Sequence, residues 1–159
     1  GVTHVDPPYG YRCPFGSQDA ATCGELAADA IGRRIDLFGA DRVAAVIVEP
    51  NAGSNGIVAP DSYWPAVRRI TRQRGIPLIA DEVMSGFGRC GEWFAWQRHG
   101  DAGRPDAITL AKGLTGAMMP LGAVVALAVL MVVRVNALLS VPPLPAAKAP
   151  CGTYTISMA

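Results

Sequence analysis

The spacing of apolar side chains divides the first 125 residues into alternating helices and short strands. Ala27, Ile31, Ile35 and Phe38 recur at three- and four-residue intervals, predicting a helix over 21–38 that Gly39 can stop. Val43–Val48 is an unbroken apolar run rich in valine, the pattern of a strand buried on both faces. Asn51–Gly56 is a turn-rich loop. Asp61 then predicts a capped helix running to Arg74, with Trp64, Val67 and Ile70 inward, four arginines outward and Gly75 at its end. Ile76–Ala80 and Ala107–Leu110 predict two more buried strands. Strand, helix and strand in this order form a βαβ unit, hence an α/β domain with a mainly parallel sheet and helices on its faces. The first twenty residues, rich in Pro, Gly and aromatics, predict irregular connection.

Chemistry gathers where these strands end. The three runs are followed by Glu49-Pro50, Asp81-Glu82 and Ala111-Lys112. Open α/β sheets bind ligands outside the carboxyl ends of their strands. A single such charge is ordinarily a solvated loop residue; three in register favour a site. The lysine stands out further, because twelve of the fourteen basic residues are arginine and only Lys112 and Lys148 are lysine.

Composition narrows the classes. Half the residues are apolar, enough for a core, and a net charge of +1 lacks the basic footprint of a nucleic-acid binder. Cys13, Cys23, Cys90 and Cys151 are scattered, with no C-x-x-C pair, and His4 and His99 lie far apart. That spacing predicts free thiols in a reducing cytosol and no metal site. The N-terminus lacks the basic and apolar regions of a signal peptide, and the missing initiator Met points to a piece of a longer chain. Beyond Lys112 there is no acidic residue, and Leu121–Val133 is apolar throughout apart from Gly122. At thirteen residues that run falls short of the roughly 20 needed to cross a bilayer, and Arg134 closes it, so a membrane span is disfavoured.

Gly86-Phe87-Gly88-Arg89-Cys90-Gly91 matches the G-x-G-x-x-G dinucleotide pattern, with Asp106 twenty residues after Gly86. The context is wrong for it. Asp81–Ser85 separates the glycines from the strand and places acids where a pyrophosphate would sit, and Asp106 precedes its strand instead of following one. A tight turn with close backbone packing is the better reading.

Three blocks stand out: Val43-Ala-Ala-Val-Ile-Val-Glu-Pro, Pro77-Leu-Ile-Ala-Asp-Glu-Val-Met-Ser-Gly-Phe-Gly-Arg-Cys-Gly and Pro105-Asp-Ala-Ile-Thr-Leu-Ala-Lys-Gly-Leu-Thr. Together they resemble the class III (subgroup II) pyridoxal-phosphate-dependent aminotransferases. Gly53-Ser-Asn-Gly and Pro120-Leu-Gly-Ala-Val-Val fit as well, and Lys112 falls 31 residues after Asp81. Tyr11-Arg-Cys-Pro-Phe-Gly is similar to the ω-amino acid and taurine:pyruvate branch. The resemblance implies part of a fold-type I large domain over residues 1–125, the cofactor pyridoxal 5′-phosphate, a cytoplasmic homodimer and no nucleic-acid partner. It implies amino transfer from an amine or ω-amino acid to pyruvate or another keto acid. By the same resemblance Lys112 bonds the cofactor aldehyde and then carries a proton, and Asp81 pairs with the pyridine nitrogen. Val83 packs on the ring, Glu49 lies near the substrate end, and Glu82 and Arg89 are structural, in a buried ion pair or at a subunit interface. Met84 stands where some members have a Gln that reaches the cofactor, and Cys90 replaces a Thr or Ser.

Residues 126–159 depart from the family into an apolar, Pro/Ala-rich tail. The family's phosphate-binding turn and small domain have no match in the chain. The expectation is therefore a fragment that is not by itself a competent transaminase. The alternatives are a non-catalytic truncated or frameshifted product, membrane-associated through residues 121–141, or an aminomutase, racemase or decarboxylase of the same fold.

Overall fold

The computed structural model describes residues 1–126 and the backbone of 154–158. Helix α1 (Ala20–Phe38) begins where the Asp19 carboxylate accepts the Thr22 N–H at 2.7 Å, and it ends at Gly39, whose φ of 88° a side chain would resist. Strand β2 (Val43–Val48) leads through a loop into helix α2 (Tyr63–Gln73), and α2 returns the chain to β3 (Leu78–Asp81), parallel to β2. Strand β4 (Ala107–Leu110) lies parallel to β3, and β5 (Ala123–Ala126) turns back antiparallel on β4. On the other side β1 (Val2–Val5) and β6 (Tyr154–Met158) complete the order β1-β6-β2-β3-β4-β5, with β6 antiparallel to both β1 and β2. The α/β expectation holds, with β2, β3 and β4 as the parallel centre.

One core sits on one face of this sheet. Val46, Val48, Leu78, Ala80, Ile108 and Leu110 are buried there against Ala27, Ile31 and Ile35 of α1 and Trp64, Val67 and Ile70 of α2. Full burial of each large aliphatic side chain contributes about 1.5–3 kcal/mol, which holds the helices to the strands. The alternate positions Ala45, Ile47, Ile79, Asp81, Ala107 and Thr109 are only half-buried. Burial of the strands on both faces is thus corrected: apolar composition makes either face capable of packing, but α1 and α2 cover the same one.

Four other expectations change. The first twenty residues are not wholly irregular, since they contain β1 and a 3₁₀ turn at Gly10–Arg12. Asp61 does not cap α2: the residue before the helix is Ser62, already helical, and its hydroxyl donates to the Ala21 carbonyl on α1 at 2.7 Å. Cys13 and Cys23 are not free thiols but form a disulfide, with Cα atoms 5.9 Å apart, between the turn and the first helix. Cys90 is a thiol, whereas Cys151 lies outside the described residues. Finally, Arg68 faces the interior. Its guanidinium donates twice to the Asp106 carboxylate, at 2.7 and 2.9 Å, and the same carboxylate accepts the Leu78 N–H at 2.7 Å.

Asp106 thereby ties α2 to the start of β3. Burial works to raise its pKa, but the Arg68 and Leu78 hydrogen bonds and the charges of Arg68 and Arg72 outweigh it, and the net shift is downward. A carboxylate with a depressed folded pKa stabilises the fold above its unfolded value of about 3.9 and loses that contribution as pH falls through the folded value. Asp106→Ala leaves the Arg68 guanidinium without its carboxylate partner. Because Asp106 remains 34% exposed, the expected loss is about 2–3 kcal/mol, below that of a fully buried pair. Urea unfolding near neutral pH reads this loss, and the gap between parent and variant should close below pH 4.

Among the described residues, no helix is long and apolar enough to cross a membrane. The part of the 121–133 run described in the strands, Ala123–Ala126, is β5; residues 127–133 lie outside the described residues.

Candidate active site

The parallel centre delivers three charges to one end of the sheet. β2 ends at Val48 and releases Glu49, β3 ends in Asp81, and β4 ends at Leu110, two residues before Lys112. Asp81 pairs in register with Thr109, and alternation along the strands puts both on the half-open face. Glu49 feels both partners. Its pKa is raised, first by burial and then by the charge of Asp81, against a 3.3 Å hydrogen bond from the Gly53 N–H and the charge of Lys112.

The Asp81 carboxylate is held by its own chain. Val83 donates its N–H to Asp81 Oδ1 at 3.0 Å, which leaves the other oxygen to meet a further donor. That bond belongs to the turn that follows the strand. β3 stops at Asp81 and the chain turns, so Val83 does not simply continue the strand on the same side. Glu82 is fully buried and accepts from the Ser85 hydroxyl at 2.6 Å and the Trp96 N–H at 3.0 Å. It serves as a structural hydrogen-bond acceptor and makes no ion pair among the described residues, while Arg89 is exposed.

Lys112 opens a 3₁₀ turn, Lys112–Thr115, and its amine is exposed, 2.6 Å from the Met84 sulfur. Met84 is in turn backed by Gly53, where a methyl group would fall 2.9 Å from Met84 Cβ. One further group is legible only in three dimensions. The Thr109 hydroxyl is buried with no hydrogen-bond partner, across the ladder from Asp81. A buried hydroxyl left without a partner costs about 1–3 kcal/mol. An exposed amine and a carboxylate with one oxygen to spare stand at this end of the sheet, chemically able to meet an aldehyde and a pyridine N–H. Among the described residues no cluster of His, Cys, Asp or Glu is placed to hold a metal ion.

Residues 1–137 match the family model of the class-III aminotransferases. The chain belongs to that family. This class-III aminotransferase chain is 44% identical over 126 residues to a putrescine–pyruvate aminotransferase of Pseudomonas aeruginosa, covering 79% of this chain and 27% of that protein. It is 41% identical over 132 residues to a leucine/methionine racemase of Thermococcus litoralis, covering 82% of this chain and 29% of that protein. An amine transaminase from an uncultivated Pseudomonas species, solved with pyridoxal phosphate bound, matches with a TM-score of 0.70 at 39% identity, over 77% of this chain and 27% of that one. The class-III chain thus spans between a quarter and a third of the length of these relatives. The cofactor of the family is pyridoxal 5′-phosphate.

Proposed function

We propose that this chain carries the lysine-centred part of a pyridoxal-phosphate-dependent transaminase, which moves an amino group from an amine or ω-amino acid to pyruvate or another keto acid. The observation that supports it is the meeting of Lys112, Asp81 and Glu49 at the carboxyl ends of three adjacent parallel strands. The cofactor, when bound, supplies an aldehyde to hold the amino group and a ring to take up the electron pair left at the substrate carbon. Lys112 Nζ would hold that aldehyde and, once the incoming amino group has displaced it, would be the free amine that takes the proton from the substrate α-carbon. Asp81, anchored by the Val83 N–H, presents its remaining carboxylate oxygen to the pyridine N–H and keeps that proton in place. Val83 lies against the ring, and Glu49, whose pKa is raised, stands at the substrate side. Residues 1–125 form the central part of the large domain, and 126–159 carry a divergent sequence of which Tyr154–Met158 is β6 of the same sheet. Assembly as a homodimer and a cytoplasmic location belong to the same reading.

The racemase relative supports a second reading, in which Lys112 returns the proton to the opposite face and no keto acid is consumed. Product analysis separates the two. In a protein that carries the whole family domain around this chain, with pyridoxal phosphate, pyruvate and a panel of amine donors, transfer yields alanine in step with loss of the donor, lost in Lys112→Ala. Inversion of leucine or methionine with no alanine formed overturns the transaminase reading.

A further inference from the structure

The glycine-rich turn Gly86–Gly91 has no part in that chemistry, yet it reaches the lysine. Three non-glycine residues have positive φ among the described residues: Phe87 at 59°, Lys112 at 43° and Ala117 at 63°. This left-handed region is unfavourable for any side chain and persists only where the surroundings enforce it. All three converge on one place. Ala117 donates its N–H to the Lys112 carbonyl at 3.0 Å. Phe87 lies against the residue that follows the lysine: a methyl group on Gly113 would fall 2.7 Å from Phe87 Cδ2, 2.8 Å from its Cβ and 2.9 Å from its Cγ. Only glycine therefore lets the chain after Lys112 run this close to the ring.

Phe87 is itself braced from behind. Its N–H donates to the Trp93 carbonyl at 2.7 Å, and its ring meets Phe94 edge-on, with centroids 5.8 Å apart. The root of the turn is fastened to the strand that bears Asp81, since the Gly86 N–H donates to the Glu82 carbonyl at 2.9 Å and the Glu82 carboxylate is wholly buried. A rigid path therefore runs from the end of β3 through the Phe87 ring to the backbone at Lys112.

We infer that Phe87 is a positioning residue for Lys112: its ring, pressed on Gly113, holds the lysine backbone in the left-handed conformation that aims the amine across the site. The inference rests on Lys112 being the cofactor lysine. Removing the ring lets Lys112 relax to ordinary backbone conformations, in which the amine stays exposed but is no longer aimed.

The full chain tests this with two reagents. Pyridoxal phosphate followed by borohydride reports the aimed amine, and acetic anhydride reports bare exposure; peptide mapping reads Lys112 against Lys148. In Phe87→Ala the pyridoxyl label at Lys112 should form about tenfold more slowly, the fold-change equivalent to ~1.4 kcal/mol. Acetylation of Lys112 and both reactions of Lys148 should stay within about twofold of the parent, a small energy on the same scale. Phe87→Leu should recover most of the rate, and Gly113→Ala, which drives a methyl group into the ring, should repeat the loss. If Phe87→Ala does not fold, Phe87→Leu and Gly113→Ala decide. Parental labelling of Lys112 in Gly113→Ala, or in a folded Phe87→Ala, overturns the inference. A parent chain that labels Lys112 no faster than Lys148 overturns the cofactor-lysine reading itself, and this inference with it.

Discussion

Replacing Lys112 by alanine removes the borohydride-stable pyridoxyl label from the site of this chain, whatever remains of its fold. The expectation rests on the placement of the amines. Lys112 is exposed, two residues past the end of β4, and its charge reaches the Glu49 carboxylate at the end of β2. Among the described residues, the substitution leaves that end of the sheet with the Glu49 and Asp81 carboxylates and no lysine amine to hold an aldehyde. The fold should be nearly untouched, because among the described residues the exposed lysine amine makes its hydrogen-bond contact with the Met84 sulfur. The measurement is peptide mapping after reduction, with thermal melting as the control. A label that persists at parental level, now on Lys148, refutes the role of Lys112. The exchange of the alanine α-hydrogen in deuterated water, with the cofactor present, should fall to that of free cofactor in the same variant.

Asp81→Asn should keep the Lys112 label but slow that α-hydrogen exchange by about 10²–10³-fold, the usual cost of losing one preorganised electrostatic partner. The amide is isosteric, so its oxygen can still accept the Val83 N–H, a bond that Asp81 makes at 3.0 Å. What it lacks is charge. A carboxylate about 4 Å from a pyridine N–H, at an effective dielectric of ~20, contributes about 4 kcal/mol to holding the proton there. That is roughly three pKa units, enough to keep the ring nitrogen protonated at neutral pH. Parental exchange in Asp81→Asn, alongside intact labelling, removes Asp81 from this role.

Much of the fold was legible because local pattern and global structure agree. The helix expected over 21–38 is α1 at Ala20–Phe38, since three- and four-residue spacing of Ala27, Ile31 and Ile35 makes one face that only a helix can bury. Strands β2 and β4 fall where continuous apolar runs placed them, and β3 is displaced by about two residues, a usual boundary shift. The candidate residues Glu49, Asp81 and Lys112 were legible for the same reason: in a parallel sheet, the residues that succeed each strand emerge at the same edge.

The sequence by itself determined the periodic elements, their order and the charges at the strand ends, because each depends on residues close together in the chain. Tertiary structure alone decided which segments meet. β1 pairs with β6, and β6 with β2, across most of the chain, so neither β1 nor β6 carries a strong local signal. The same holds for the Cys13–Cys23 disulfide, which spacing without a C-x-x-C motif does not disclose. Arg68, on the expected polar face of α2, turns inward because Asp106, 38 residues on, supplies a carboxylate that offsets its burial. Thr109, Phe87 and Gly113 look ordinary in the chain. Their meaning lies in a hydroxyl buried without a partner and in a ring that admits only glycine beside it, both products of three-dimensional packing.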